Sequence, residues 1–267
     1  MVKNITMGQY IPGNSILHRA DPRTKIIWTV LLLIMLFAAN NIYGYVMMLV
    51  IVGIILIVSD VRVSYTLRGI KPLIIILVIT SAINIFTYQG NTVLVSLGAF
   101  RITLEGIIQA VIISVRLSLM VIIGSILTLT TTPIALTDGL EKLMMPLKKI
   151  KVPVHEMAMM MSIALRFIPT LLEETDRIIK AQSSRGADFD TGNFIEKAKS
   201  FIPVLIPLFI SAFKRAEELA TAMESRCYRG DIGRTRMKEL AYTKIDRNIN
   251  LFLTGFLIVF IISTFVI

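Results

Sequence analysis

The sequence predicts an all-α integral membrane protein with about five transmembrane helices and long amphipathic cytoplasmic helices between the fourth and fifth spans. The chain has 267 residues, of which 55% are hydrophobic and 17% are charged. This composition is too apolar for a soluble chain that must cover its surface with polar groups. The apolar residues also fall into runs long enough to cross about 30 Å of hydrocarbon. Lys and Arg exceed Asp and Glu by 28 to 18, and in a membrane protein such an excess orients the chain.

The apolar runs define the predicted spans. Two of them are separated only by residues 39–41, so they form a helical hairpin with an uncharged tip. Hydropathy places span ends only to within a few residues. The five runs lie at 25–39, 42–59, 72–88, 104–132 and 249–267.

The distribution of basic residues predicts the topology. Segments rich in Lys and Arg stay on the cytoplasmic side, and the stretch 137–247 holds nineteen of them. We therefore expect the N-terminus in the cytoplasm and the C-terminus outside. The predicted organisation is a cytoplasmic segment 1–24, a four-span bundle 25–136, cytoplasmic helices 137–247 and a last span 248–267.

The segment 137–247 is too long and too periodic for a connector, and we expect three helices in it. The first runs from about Thr137 to Lys149, with Thr137 at its cap. The second runs from about Pro153 to Ser184 and stops at Gly186.

The third helix begins at Asn193, which forms a capping box with Glu196, and extends to about Cys227. Pro203 and Pro207 should bend it. Its apolar part, 201–213, is about thirteen residues long and reaches only about 20 Å, too short for a sixth span.

Small residues on the third helix predict a close helix crossing. Ala212, Ala216 and Ala220 are spaced four apart, which lets two backbones approach. We expect this alanine ladder to pack against the second helix.

Two similar triplets end the second and third helices: Ser184-Arg185-Gly186 and Ser225-Arg226-Cys227. One interpretation is that each arginine only complements the dipole of its helix. The other is that both project from one cytoplasmic surface as prongs for acidic grooves on a partner, because a guanidinium presents a planar fork to carboxylates.

Other candidate chemistry is sparse. Two histidines and a single cysteine provide no metal-ligand spacing, and we predict neither a metal site nor a catalytic residue. No Gly-x-x-x-x-Gly-Lys-Ser/Thr phosphate loop is present, so this chain should not bind ATP. The methionines Met157, Met160 and Met161 are either ordinary packing or a surface that contacts a partner.

The chain resembles the transmembrane coupling subunit of energy-coupling factor transporters, the EcfT or CbiQ-like family. The resemblance rests on the two arginine triplets, on 17–25 (LHRADPRTK) before the first span and on 165–169 (LRFIP) in the second cytoplasmic helix. It extends over essentially the whole chain. Ser stands at the first position of both triplets, where the family often has Ala.

The resemblance implies a non-enzymatic scaffold in a bacterial or archaeal cell membrane. Its partners would be two cytoplasmic ATP-binding-cassette ATPases, as a homo- or heterodimer, and one small membrane subunit that binds a vitamin or other micronutrient. The chain itself would bind no cofactor and no nucleic acid, and the ATPases would use ATP and Mg. Alternatives are the equivalent subunit of a dedicated cobalt, nickel or biotin importer, and an intramembrane enzyme.

Overall fold

The computed structural model describes residues 10–39, 41–88, 92–97, 100–187, 189, 193–230 and 240–266. The chain divides into two compact units. One, called here the bundle, comprises the described residues of 8–142 and 240–267. The other, the α8–α10 unit, comprises the described residues of 143–239.

The bundle is helical apart from one short hairpin. A four-residue helix α1 (Ile16–Arg19) precedes the longer helices, and a 3₁₀ turn (Lys71–Leu73) joins the fourth helix to the fifth. The remaining elements are α2 (Pro22–Ala38), α3 (Ile42–Ser59), α4 (Val63–Ile70), α5 (Ile74–Thr87), β1 (Val93–Leu97), β2 (Phe100–Thr103), α6 (Leu104–Thr130), α7 (Pro133–Met144) and α11 (Lys244–Val266).

Among the described helices, four are long and apolar enough to cross a membrane: Ile42–Ser59, Val63–Thr87, Leu104–Thr130 and Lys244–Thr264. The all-α membrane fold predicted from the sequence is thereby confirmed. The predicted first span corresponds to α2, whose 17 residues extend about 25 Å, at the short end for a transmembrane helix. The count of five spans stays a prediction.

The segments around the third span differ from the prediction. The predicted third span begins at residue 72, but helical structure runs from Val63 to Thr87 and includes Arg68 and Lys71. The reason is that α4 is amphipathic, so its polar residues interrupt the apolar run without interrupting the helix. After α5, strands β1 and β2 pair antiparallel, where no strand was expected, and Thr103 caps α6 by accepting from the Gly106 amide.

The core of the bundle lies where α2, α3, α6 and α11 meet. Its buried residues include Trp28, Leu36, Met48, Ile51, Leu119, Ile123 and Phe260. Phe260 lies on the last helix, so the core joins the two ends of the sequence.

Arg116, in the middle of α6, caps the hairpin tip. Its Nη2 donates to the hydroxyl of Tyr45 and to the carbonyl of Ala39, at 3.4 Å, which is the C-cap residue of α2. A cation at a helix C-terminus complements the helix dipole. This accounts for an arginine among apolar residues, where an unpaired charge would be costly.

A buried carboxylate joins the first residues of α2 to those of α11. Asp246 is fully buried and accepts hydrogen bonds from the amide of Asp21 at 2.7 Å and from the amide and hydroxyl of Thr243 at 2.8 and 2.7 Å. Thr243 and Asp246 form a capping box at the start of α11. The carboxylate therefore lies between two helix N-termini, where a negative charge is favoured.

We predict that Asp246→Asn lowers the free energy of unfolding of the bundle by about 2–3 kcal/mol, because the amide replaces an acceptor oxygen with a donor group that faces other donors. The measurement is thermal unfolding of the purified chain in detergent, followed by tryptophan fluorescence. Asp60→Asn is the matched control, since Asp60 is exposed and its left-handed backbone suits asparagine equally. Equal melting temperatures for the two variants would contradict the structural role of Asp246.

The second unit contains α8 (Val154–Ser184), α9 (Phe194–Ser200) and α10 (Ile202–Ser225), preceded by a 3₁₀ segment Met145–Ile150. The bounds of α8 agree with the prediction, and so does the capping box between Asn193 and Glu196. The predicted third helix is divided at Phe201, with Pro203 in the first turn of α10 and Pro207 inside it. Proline tolerates the first turn because no amide is needed there.

The predicted helix from Thr137 to Lys149 was wrong in its bounds. Helix α7 begins at Pro133 and ends at Met144. Its first turn is capped by Thr132, whose hydroxyl accepts from the Ala135 amide, while Thr137 lies inside the helix and donates to the carbonyl of Pro133. The start of α7 is therefore signalled in the sequence by Thr132, a capping residue, followed by Pro133.

Candidate functional site

The first arginine triplet forms a Schellman motif at the end of α8. Ser184 is the last helical residue, Arg185 is the C-cap, and Gly186 has a left-handed backbone with φ of +89°. The amide of Gly186 bonds the carbonyl of Ser183, and the amide of Ala187 bonds that of Gln182, both at 3.0 Å. These two bonds define the motif and require positive φ at the third triplet position.

The second triplet repeats this geometry at the end of α10. Arg226 is the C-cap, and Cys227 has φ of +56°. The amide of Cys227 bonds the carbonyl of Glu224 at 2.9 Å, and that of Tyr228 bonds Met223 at 3.0 Å. All six triplet residues are exposed. The two ends are therefore one local structure built twice, with the arginine at the same position in each.

Helices α8 and α10 contact each other in antiparallel directions. Midway along the pair, Glu174 accepts from the Ser211 hydroxyl and from Nη2 of Arg215, both at 2.6 Å. Nearer the start of α8, the Tyr228 hydroxyl, which follows α10, donates to Sδ of Met159 at 3.0 Å. The beginning of one helix therefore lies beside the end of the other.

This direction places the two arginines at opposite ends of the pair. Arg185 lies eleven residues after Glu174, and Arg226 lies eleven after Arg215. At 1.5 Å per residue the two C-caps are about 33 Å apart along the pair. The Glu174–Arg215 ion pair, at 2.6 Å, marks the midpoint, and sequence reasoning missed it. The equal eleven-residue spacing was the signal that could have revealed it.

The alanine ladder does not form the contact that was predicted for it. Ala212 is half-buried, whereas Ala216 and Ala220 are exposed. The observed contact uses Ser211 and Arg215, which lie on an adjacent face because each residue turns the helix by about 100°. A polar contact between the helices is the cluster of Glu174, Ser211 and Arg215.

An apolar stripe covers another face of α10. Its six residues recur at intervals of three and one, which aligns them on one side of the helix. All are exposed, with Phe209, Ile210 and Phe213 about two-thirds accessible at 66%, 65% and 66%. The stripe consists of Ile202, Leu205, Ile206, Phe209, Ile210 and Phe213. On α8, Met157, Met160 and Met161 are also exposed. Contiguous exposed apolar surface of this kind marks an interaction site.

Catalytic chemistry finds little support in the residues that the structure describes. No group of three or more His, Cys, Asp or Glu side chains there could hold a metal ion. Glu105 lies in the first turn of α6, where its carboxylate accepts from the amide of Thr92. Arg116 is eleven residues further along the same helix, about 16 Å away, so these two polar residues of α6 do not converge on one site.

Comparison with known proteins shows which family the chain belongs to. Residues 13–238 match the CbiQ family model, described as cobalt transport protein. The chain belongs to the CbiQ family. It is 60% identical over 260 residues to the energy-coupling factor transporter transmembrane protein EcfT of Ruminiclostridium cellulolyticum, covering 97% of this chain and 96% of that protein.

Further relatives in this family carry the same description. The EcfT protein of Brevibacillus brevis is 51% identical over 246 residues, covering 92% of this chain and 93% of the relative. That of Bacillus subtilis is 46% identical over 250 residues, covering 93% and 94%. The chain is therefore a multi-pass membrane protein of a transport family, and the resemblance noted from the sequence is confirmed.

The repeated helix end predicts opposite responses at its two third positions. Gly186→Ala should cost about 1 kcal/mol locally, because a Cβ disfavours positive φ, whereas Cys227→Gly should stabilise its end by a similar amount. Hydrogen exchange read by mass spectrometry should show faster exchange of the Ala187 amide in the first variant and slower exchange of the Tyr228 amide in the second. Unchanged exchange in both would show that these ends are not held by the Schellman bonds.

Proposed function

We propose that this chain is the transmembrane scaffold of an energy-coupling factor transporter, linking two cytoplasmic ATP-binding-cassette ATPases to the uptake of a micronutrient, a vitamin, through a separate membrane subunit. The observation that carries the proposal is the duplicated arginine end. Two exposed guanidiniums sit in the same local geometry at opposite ends of an antiparallel helix pair.

An antiparallel pair has an approximate twofold axis at its midpoint, here the Glu174–Arg215 contact. A dimer of identical or homologous ATPases also has a twofold axis. When the two axes coincide, each arginine meets an equivalent groove on a different ATPase. From the sequence, both arginines were expected to project from one cytoplasmic surface. In the proposed arrangement each arginine contacts a different ATPase. We call the two triplets the docking ends. Besides the arginines, they contain Ser184, Gly186, Ser225 and Cys227.

The grooves should carry acidic groups, because a guanidinium binds a carboxylate through two parallel hydrogen bonds. The helix-dipole interpretation explains why an arginine is tolerated at each C-cap, but it does not require both to be exposed.

ATP and Mg belong to the partners in this proposal, and this chain acts only by transmitting motion.

The apolar stripe of α10 is the proposed contact for the small substrate-binding membrane subunit. A membrane protein offers an apolar surface that can cover Phe209, Ile210 and Phe213, which would otherwise be exposed to water. The exposed methionines Met157, Met160 and Met161 could extend this contact, since flexible thioethers adapt to changing partners.

The proposed orientation follows the charge pattern. The N-terminus and the α8–α10 unit lie in the cytoplasm of a bacterial or archaeal cell, because the segment 137–247 is rich in Lys and Arg. The C-terminus then lies outside.

A dedicated cobalt importer is the second candidate, and the description of the matching family model favours it. The two candidates share the ATPase contacts and differ in the membrane partner and its cargo. Mass spectrometry of the complex purified through this chain separates them, since a shared module retains several substrate-binding subunits and a dedicated one retains a single kind.

For the docking ends, we predict that Arg185→Ala or Arg226→Ala reduces ATP-driven uptake at least about tenfold, since losing one partner of a buried charge pair costs 2 kcal/mol or more. Arg→Lys should rescue only partly, because an ammonium lacks the planar fork. Uptake and ATPase co-purification are measured together in proteoliposomes.

Arg229→Ala is the matched control, since Arg229 is an exposed arginine outside the triplet. Wild-type uptake in both alanine variants would refute the docking role. Full rescue by lysine would show that only a positive charge is needed at the helix end, as the dipole interpretation holds.

For the stripe, we predict that Phe209→Ser with Ile210→Ser lowers co-purification of the substrate-binding subunit while ATPase recovery is unchanged, because the polar side chains remove apolar contact area. Glu218→Gln, an exposed position on the same helix, is the control. Undiminished recovery of the membrane subunit would show that the stripe faces lipid or another protein.

A further inference from the structure

The α8–α10 unit is joined to the bundle by the chain at two points, between residues 142 and 143 and between residues 239 and 240. Helix α7 leads to the first point, and the segment 240–243 follows the second before α11 begins. These two stretches of the bundle are called here the two roots. Covalently transmitted motion between the units passes through both roots.

The first root packs directly on the beginning of α2. At Gly139 of α7, a Cβ atom would lie 3.0 Å from Cβ of Pro22 and 3.4 Å from the backbone nitrogen of Arg23. Such a separation is tighter than most contacts of a Cβ atom, so a larger residue would require its neighbours to move by a few tenths of an ångström. Helix α7 and the first turn of α2 are therefore in close backbone contact.

The second root is held by the side chain of Arg23. Its Nη2 donates to the carbonyl of Leu240 at 3.0 Å, and its guanidinium stacks over the ring of Tyr242 at 4.1 Å. Four residues after Tyr242, Asp246 accepts from the amide of Asp21. The same first turn of α2 thus holds both roots.

Arg23 is itself fixed in place. Its Nε and Nη2 donate to the two carboxylate oxygens of Asp21 at 3.0 and 2.8 Å. Burial raises the pKa of Asp21, but the hydrogen bonds and charge of Arg23 outweigh it, so the pKa is lowered overall. The pair remains ionised at neutral pH, and Asp21 sets the plane of the guanidinium while Nη2, which also donates to Asp21, donates to the carbonyl of Leu240.

We propose that Arg23 is a positioning residue for coupling, which keeps the two roots of the α8–α10 unit in fixed register on the bundle. The inference rests on the proposed function, because it concerns how motion produced by the ATPases reaches the membrane. Without Arg23, the second root can shift while the first root stays packed against α2 at Gly139. The two roots then no longer move together, and part of the motion produced by the ATPases does not reach the bundle.

The test uses the complete complex, with both ATPases and the substrate-binding subunit, reconstituted in proteoliposomes. The measured quantity is substrate taken up per ATP hydrolysed. Arg23→Gln should assemble and hydrolyse ATP but reduce this ratio about 2- to 30-fold, the range for a residue in a coupling network. Arg23→Lys should recover part of the loss, since an ammonium can pair with Asp21 but lacks the fork.

A second variant covers the case in which Arg23→Gln does not assemble. Tyr242 is 59% exposed, so Tyr242→Leu removes the stacked ring while leaving the bundle core intact. The substrate taken up per ATP hydrolysed should fall in this variant, as in Arg23→Gln. Arg19→Gln, an exposed arginine in the same segment, is the control with a wild-type ratio.

The outcomes are distinct. If the wild-type chain binds no ATPase, the proposed function fails. If the wild-type complex transports and Arg23→Gln assembles with an unchanged ratio, only the positioning role is overturned. If Arg23→Gln does not assemble, an unchanged ratio for Tyr242→Leu overturns it.

Discussion

The carboxylate of Asp246 organises the bundle. It lies 225 residues from Asp21 in the sequence, yet accepts the amide of Asp21 at 2.7 Å. Burying a charge is costly unless it is fully bonded, and here the donors come from the start of α2 and from the cap of α11. The bond therefore fixes the first long helix beside the last. The core shared by α2, α3, α6 and α11 packs around this pair of helices.

The α8–α10 unit uses the opposite ends of helices. The N-terminal ends of α2 and α11 hold a buried anion, whereas the C-terminal ends of α8 and α10 expose cations. Both arrangements follow from the same dipole. One is internal and stabilises the chain, and the other is external and available to a partner. The Glu174–Arg215 contact keeps the two exposed ends on opposite sides of a common midpoint, so a single chain presents the same feature twice.

Sequence patterns predicted the elements whose signals are local. The bounds of α8 followed from Pro153 and Gly186, and the start of α9 followed from the capping box of Asn193 and Glu196, because each signal acts within one helical turn. The apolar runs predicted the membrane helices because hydrocarbon thickness fixes their length. The start of α7 was missed because Thr132 is the last residue of the apolar run 104–132, which hydropathy assigned to the previous span, and Pro133 follows it directly.

Long-range contacts could not be predicted in the same way. Nothing local to Asp246 or Arg23 shows that they meet at the first turn of α2. The spacing of Ala212, Ala216 and Ala220 is typical of a close helix crossing, but Ala216 and Ala220 are exposed and the contact with Glu174 is made by Ser211 and Arg215 on the adjacent face. The triplets were identified from sequence, while their separation depended on the antiparallel direction.

The central claim is that the two arginine ends reach two different ATPases. A photo-crosslinking amino acid placed at Ser184 in one sample, at Ser225 in a second and at both in a third tests it directly, with products identified by mass spectrometry. We predict that each single position captures one ATPase and that the double variant yields a product containing this chain and two ATPase chains. Capture of the same single ATPase chain from both positions would contradict it.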